Sequence, residues 1–304
     1  MKIENVLVTG ATSFIGKYLV AALLKHGYQV FAVVRNPDKL GDLRFHNNLI
    51  TITSTLDEIA AIPEKINTTI DVVYHLAWEG TRGADRDNYT MQQNNIYHSL
   101  QVIYTAKQLG CHTFIGVGSQ AEYGICEGII SETYPENPCT EYGKAKLHVC
   151  REGLKLAHEF QMKFIWCRVF SAYGVGDFEG SLVNTAVRKM LINEPIALTE
   201  CIQNWDYVHI TDVANAFLHL LDAPTGVYNI ANGESKILRE FIYEIKDITG
   251  SESELQFGSI PYTNEKMVSF IPSVDKLKLE TGWFPVKTFR EGIAEIIEEQ
   301  RKCK

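Results

Sequence analysis

The sequence contains no CxxC pair, no run of basic residues and no apolar stretch long enough to span a bilayer. Each absence removes a class. Seven cysteines, at 111, 126, 139, 150, 167, 201 and 303, are an odd number without paired spacing. They read as free thiols in a reducing, cytoplasmic compartment, with no disulfide framework and no metal site. A net charge of -8 and the lack of a basic-aromatic stripe argue against nucleic acid as a partner. Strand-like sequence begins within MKIENVLVTG, so no secretory leader and no membrane anchor are expected. There is no internal repeat and no low-complexity linker.

What is present is alternation. Short apolar runs at VLVTG (6–10), QVFAVVR (29–35), LITITS (49–54), TIDVVYHLA (69–77), TFIGVGS (113–119) and KFIWCRVF (163–170) are separated by helix-period segments at 17–27, 94–110 and 141–160. Repeated β-α-β order predicts an α/β fold, a Rossmann-like doubly wound parallel sheet with helices on both faces. After Phe170 the pattern loosens through SAYGVGDFEG (171–180) and a helix from Ser181 to Ile192. It returns to strand and helix over 205–222 and to a last strand at GVYNIANG (226–233). The tail from Ser235 reads as mostly helical, with a loop around FGSIPYTNEK. The organisation expected is a dinucleotide-binding domain of residues 1–170, rejoined by 205–231. A smaller, discontinuous C-terminal substrate lobe takes 171–204 and 232–304.

Two places carry chemistry. VTGATSFIG (8–16) joins the first strand to the first helix, where backbone N–H groups at a helix N-terminus suit a pyrophosphate. Gly10 permits the turn and Gly16 close packing; Ser13 stands where a middle glycine is common. Strand two ends in Val34 and Arg35, where NAD enzymes of this kind place an acid. A cation there suits the 2′-phosphate of NADP. Farther on, Tyr142 and Lys146 lie four apart on one helix face. A lysine near a phenol stabilises the phenolate and turns a very weak acid into a usable one. Alone, that pair is a common coincidence.

In order along the chain stand TGATSFIG, the HLA of YHLAW (74–78), GSQAEYG (118–124), YGKAK (142–146), RVFSAYG (168–174) and WDYVHITDVANAF. With these, the sequence resembles the extended short-chain dehydrogenase/reductase family over nearly its whole length. That family contains nucleotide-sugar epimerases, dehydratases and ketoreductases. The resemblance implies Ser119, Tyr142 and Lys146 as catalytic residues. Thr9, Gly10, Thr12, Ser13, Phe14, Ile15, Gly16, Arg35, Leu76, Ala77 and Phe170 would hold the cofactor with Tyr142 and Lys146. Gln120, Ser171, Tyr173 and Trp205 would meet the substrate. His75 and Arg168 match structural positions. Asn184, Arg188 and Lys189 are further candidates for a nucleotide diphosphate. A homodimer through the helices at 94–109 and 141–160 is also implied.

Departures from the family pattern narrow the reaction. Dehydratases follow their Ser/Thr with Asp-Glu; here stand Gln120 and Ala121, and Glu122 is one position late. Trp205 replaces an arginine common in epimerases and has two readings, a substrate contact or packing. The pattern looks nearest to nucleotide-diphosphohexose 4-ketoreductases of the CDP-abequose and paratose synthase type. The expected function is NADP-dependent reduction of a keto group on a nucleotide-activated deoxyhexose. The alternatives are an NAD-dependent 4-epimerase and a non-catalytic NADP-binding regulator.

Overall fold

A computed structural model describes residues 3–262 and 269–302. Seven parallel strands form the central sheet: β1 (Asn5–Thr9), β2 (Gln29–Val34), β3 (Leu49–Thr53), β4 (Val72–His75), β5 (Thr113–Ser119), β6 (Lys163–Val169) and β7 (Gly226–Ile230). Their spatial order is β7-β6-β5-β4-β1-β2-β3. The direction of winding reverses between β1 and β4. That reversal opens a crevice at the strands' carboxyl ends.

The helices are α1 (Phe14–Lys25), α2 (Tyr89–Gln108), α3 (Glu141–Glu159), α4 (Leu182–Met190), α5 (Ile210–His219), α6 (Leu238–Thr249), α7 (Asp275–Thr281) and α8 (Phe289–Lys302). Period-two alternation sorts the strand residues between two cores. Val6 and Val8 of β1 join Leu19 and Leu23 of α1 and Phe217 of α5 on one face. Leu7 joins Ile103 of α2, Val149 of α3 and the aromatic row Phe114, Phe164 and Trp166 on the other. That row is stacked, with ring centroids 5.5 and 6.0 Å apart. A third cluster unites Val187 of α4, Phe241 and Ile245 of α6, and Ile293 and Ile297 of α8. Its members come from separated stretches of the chain.

The differences from the sequence reading have local causes. Helix α2 begins five residues before the expected start, because the Asn88 side chain accepts from Met91 N and caps it there. Within the stretch assigned to the substrate lobe, Phe270, Val274, Leu277 and Trp283 pack into the sheet's own core. Residues 270–283 therefore pack over β7 rather than within the third cluster. Residues 263–266 of the expected FGSIPYTNEK loop, and Cys303, lie outside the described residues. The other six cysteines are unpaired, as expected of free thiols. Among the described residues no helix is long and apolar enough to cross a membrane, and no group of three or more His, Cys, Asp or Glu could hold a metal ion.

Candidate active site

The loop after β1 is shaped by two contacts. Gly10 has φ +71°, and a Cβ there would lie 2.6 Å from the backbone N of Ala77. The loop and the end of β4 thus approach as closely as main chain allows. Ser13 caps α1 by accepting from Gly16 N at 3.1 Å, which sets the helix N-terminus beside the crevice. Thr9, Gly10, Thr12, Ser13, Leu76 and Ala77 line this crevice, a cavity of about 390 Å³. Phe14, Ile15 and Gly16 form the first turn of α1, and Phe14 and Ile15 pack against the core. Thr9 also works underneath: its Oγ1 lies 2.7 Å from His75 Nδ1, and His75 Nε2 lies 2.8 Å from Ser99 Oγ. Burial pushes the His75 pKa down to about 3, so the ring is neutral and ties β1, β4 and α2 together. The structural reading of His75 fits this placement.

At the far end of the crevice stands Arg35, with Lys39 beside it. Arg35 Nη1 meets Glu79 Oε1 at 2.9 Å, with side chains 74% and 59% exposed. A pair this open contributes little and exchanges readily for a better anion. No acid follows Val34. The residues fit a dinucleotide: a glycine turn that a Cβ would fill, a helix N-terminus, and cations at the adenosine end.

The candidate catalytic residues lie around the carboxyl end of β5. Ser119 ends the strand and caps the short turn 120–122, where Ser119 Oγ accepts from Ala121 N at 3.2 Å. In return Glu122 Oε1 accepts from Ser119 N at 2.8 Å. Glu122 is fully buried and takes bonds from Arg168 Nε at 2.8 Å and Trp166 Nε1 at 3.0 Å. Arg168, itself fully buried, also pairs with Glu136. Glu122 is therefore committed to the fold and does not reach a substrate as the late-register acid. Arg168 holds the structural place expected of it.

Tyr142 sits in the first turn of α3, capped by Thr140, which accepts from Gly143 N at 3.1 Å. Its ring stands edge-on to Trp78 at 6.1 Å, and the Arg86 guanidinium lies 4.9 Å from its centroid. Burial raises the Tyr142 pKa, while the Ser119 hydroxyl and the Arg86 charge pull it back. Lys146 donates to the Val117 carbonyl at 2.6 Å, with Nζ 3.5 Å from the centre of Trp78 and 5.8 Å from that of Tyr142. Burial lowers its pKa to about 7, with Glu122 opposing. Ser119 and Arg86 therefore moderate the phenol from one side, while Lys146 Nζ lies on the β5 side of the ring.

A second cavity of about 670 Å³ opens between the sheet and the third cluster, lined by Ser171, Tyr173, Trp205, Arg82 and Arg86 among others. Trp205 Nε1 is buried with no partner among the described residues, as is Gln120 Oε1. Tyr173 is only 2% exposed, and its hydroxyl points to the carbonyls of Thr288 and Phe289 at 3.4 Å. Phe170 is buried among Tyr123 and Phe270, behind the site. Of the diphosphate candidates, Asn184 donates to the carbonyls of Asp177 and Phe178, which steadies the Gly-rich loop. Lys189 donates to Pro195 O, and Arg188 is exposed on α4.

The segment 76–86 is the wall between the two cavities. Leu76 to Glu79 line one; Thr81 to Gly83 and Arg86 line the other. Sequence reasoning missed Trp78, Arg82, Arg86 and Lys39. Trp78 follows the HLA segment directly and could have been included on that ground. Arg86 carries no sequence signal, because its reach to Tyr142 depends on how the turn folds.

A phenol and a serine hydroxyl near the carboxyl end of β5, beside a crevice whose glycine turn and helix N-terminus suit a dinucleotide, are what a hydride-transferring oxidoreductase would use, and that is the class of protein these features point to. The chain belongs to the NAD dependent epimerase/dehydratase family, whose model matches residues 6–231. It is an NAD(P)-dependent enzyme of the extended short-chain dehydrogenase/reductase type. It is similar to dTDP-4-dehydro-6-deoxyglucose reductase of Escherichia coli, at 26% identity over 99% of this chain and 98% of that one. It is similar also to CDP-abequose synthase of Salmonella typhimurium, at 24% identity over 97% of each. Among solved structures, MoeE5 in complex with UDP-glucuronic acid and NAD superposes with a TM-score of 0.87, at 26% identity, over 99% of this chain and all of that one. Reductases and epimerases of nucleotide sugars are both among its relatives.

Proposed function

We propose that this enzyme reduces a keto group, at C4, of a nucleotide-diphosphate deoxyhexose with NADPH. The observation that carries the reading is the end of β2. Two cations, Arg35 and Lys39, flank the crevice there, and no carboxylate occupies the strand-end position where an NAD enzyme binds the ribose 2′-hydroxyl. NADPH is consumed by reductases, whereas an epimerase regenerates a retained NAD. Two of the relatives above are a 4-dehydro-6-deoxyhexose reductase and a CDP-abequose synthase, which supports the same substrate class. The commitment of Glu122 to Arg168, with Gln120 and Ala121 at the places of the dehydratase acids, argues against elimination.

In this reading NADPH supplies the hydride when bound. The rest falls to side chains of the chain itself. Ser119 Oγ already accepts from Ala121 N, so its proton is free to be donated to the sugar's carbonyl oxygen. Tyr142 holds the proton that the same oxygen takes up as it becomes a hydroxyl. Lys146 orients the nicotinamide ribose from the floor of the site. Trp205, whose Nε1 has no acceptor among the described residues, lines the second cavity and would meet the substrate there. We infer a homodimer through α2 and α3 as well; Tyr97 and Tyr104 of α2 are exposed.

The deciding experiment follows NADPH absorbance against a panel of nucleotide 4-keto-6-deoxyhexoses. One NADPH oxidised per sugar reduced, by protein purified largely free of cofactor, is the expected result. Stoichiometric bound NAD, with interconversion of two sugars and no NADPH oxidation, would establish the epimerase instead.

Cofactor choice gives an independent check. Charge-assisted hydrogen bonds contribute ~1.5–3 kcal/mol each, but Arg35 is exposed and Lys39 shares its task. Arg35→Ala is therefore expected to weaken NADPH binding about tenfold, leaving NADH binding unchanged. Arg35→Ala with Lys39→Ala should extend that loss. Equal losses for both cofactors in a fluorescence titration would reduce Arg35 to a surface residue.

A further inference from the structure

Tyr142 has a cation set against its ring, the guanidinium of Arg86. The turn carrying Arg86 is bolted in place from two sides. Gln92 Nε2 on α2 donates to the carbonyls of Gly80 and Asp85 at 3.0 Å each, and Gln92 Oε1 accepts from Trp78 Nε1 at 2.9 Å. Asp87 Oδ1 accepts from the backbone N of Glu141, the first residue of α3, at 3.1 Å. Arg86 and Tyr142 are thus held against each other through the main chain of the helix that bears the tyrosine.

Most other charges around the phenol are already engaged. On α3, Glu141 is taken up by Lys144 at 2.6 Å. Lys146 is turned to the Val117 carbonyl. Beyond β5, Glu122 is paired with Arg168, and what remains of its charge opposes Arg86 at the phenol. His75 of β4 is neutral, and Asp87 is engaged by the α3 amide. Among the described residues Arg86 has no carboxylate partner, whereas Arg82 four residues earlier is paired with Asp177 at 3.3 Å. A guanidinium keeps its charge throughout the working pH range, and 4.9 Å lies within reach of the ring's negative face.

We propose that Arg86 is a positioning residue for proton transfer: it fixes the Tyr142 ring and stabilises the phenolate left when the proton goes to the substrate oxygen. This rests on the reading of Tyr142 as the proton donor. The step balances simply. The Tyr142 O–H bond breaks, a bond from that proton to the sugar oxygen forms, and the charge left on the phenol oxygen lies beside a fixed cation. Lys146, whose pKa is near 7, serves the ribose, while Arg86 gives the tyrosine a charge independent of pH.

The test compares Arg86→Gln and Arg86→Lys with wild type. In the reductive direction the protonated phenol is required, so activity falls as pH rises through the Tyr142 pKa. Without the guanidinium that pKa rises. Arg86→Gln should lower kcat about tenfold near neutral pH and move the alkaline limb up by about one pH unit. Arg86→Lys should restore most of the rate and return the limb. In the Tyr142→Phe background, Arg86→Gln should cost almost nothing more, because its effect passes through the hydroxyl. A substrate-free reading is the tyrosinate absorbance lost on Tyr142→Phe, which should develop about one pH unit later in Arg86→Gln. A raised KM with an unmoved alkaline limb and an unmoved tyrosinate titration, or a full tenfold loss persisting without the Tyr142 hydroxyl, overturns the proposal. Undiminished turnover in Tyr142→Phe alone would instead remove the proton-donor reading beneath it.

Discussion

Tyr142→Phe should lower turnover ~100- to 10,000-fold, the range a positioned proton donor contributes. The substitution removes one oxygen and little else. The ring keeps its edge contact with Trp78 and its place under Arg86, so the first turn of α3 has no reason to move. The lost hydroxyl interacts with the Ser119 side chain, which retains Ala121 N as a partner. Cofactor affinity should stay within a few-fold, since the crevice around Gly10, Ser13 and Arg35 is untouched. Steady-state rates on a keto-sugar that wild type reduces, with a parallel NADPH titration, separate the two effects. Turnover within a few-fold of wild type would show that another group supplies the proton.

The second large effect is on stability. Glu122→Ala should destabilise the fold by ~3–5 kcal/mol, the cost of breaking a buried ion pair from one side. The guanidinium of Arg168 would remain fully buried with only Glu136, whose side chain is 25% exposed, to answer it. Trp166 Nε1 and Ser119 N would lose their acceptor as well. Replacing both partners, as in Glu122→Leu with Arg168→Met, should recover much of the loss, because no charge is then stranded. Urea unfolding of the three proteins measures this. A Glu122→Ala midpoint equal to wild type would mean that Glu136 alone suffices for Arg168.

Strand and helix order was legible because each apolar run is short and the helices carry their own period, with side-chain caps on α1 to α5. Ser119, Tyr142 and Lys146 were named from the resemblance, since spacing alone says only that the last two share a face of α3; the structure puts Ser119 at the end of β5 and Lys146 Nζ on the Val117 carbonyl of that strand. The wall of the site was not. Arg86 reaches Tyr142 only because Gln92 and Asp87 fold the turn 80–88 against two helices, and those bonds link residues whose sequence order does not advertise them. The covering of β7 by residues 270–283 was hidden for a similar reason. Phe270, Val274 and Trp283 read as lobe core or sheet core equally well until the chain path is known. The depth of Tyr173 and Phe170 in the packing could not be read from the motif that named them.

A carboxylate does stand three residues beyond Ser119, within the site's own turn. It holds the strand end by its bond to Ser119 N and cancels the charge of Arg168 beneath the aromatic row. Reaction scope is limited here by what folding has already claimed. Moving this scaffold toward elimination chemistry would require acids at 120 and 121 in addition to Glu122, since releasing Glu122 would loosen the serine that any such reaction also uses.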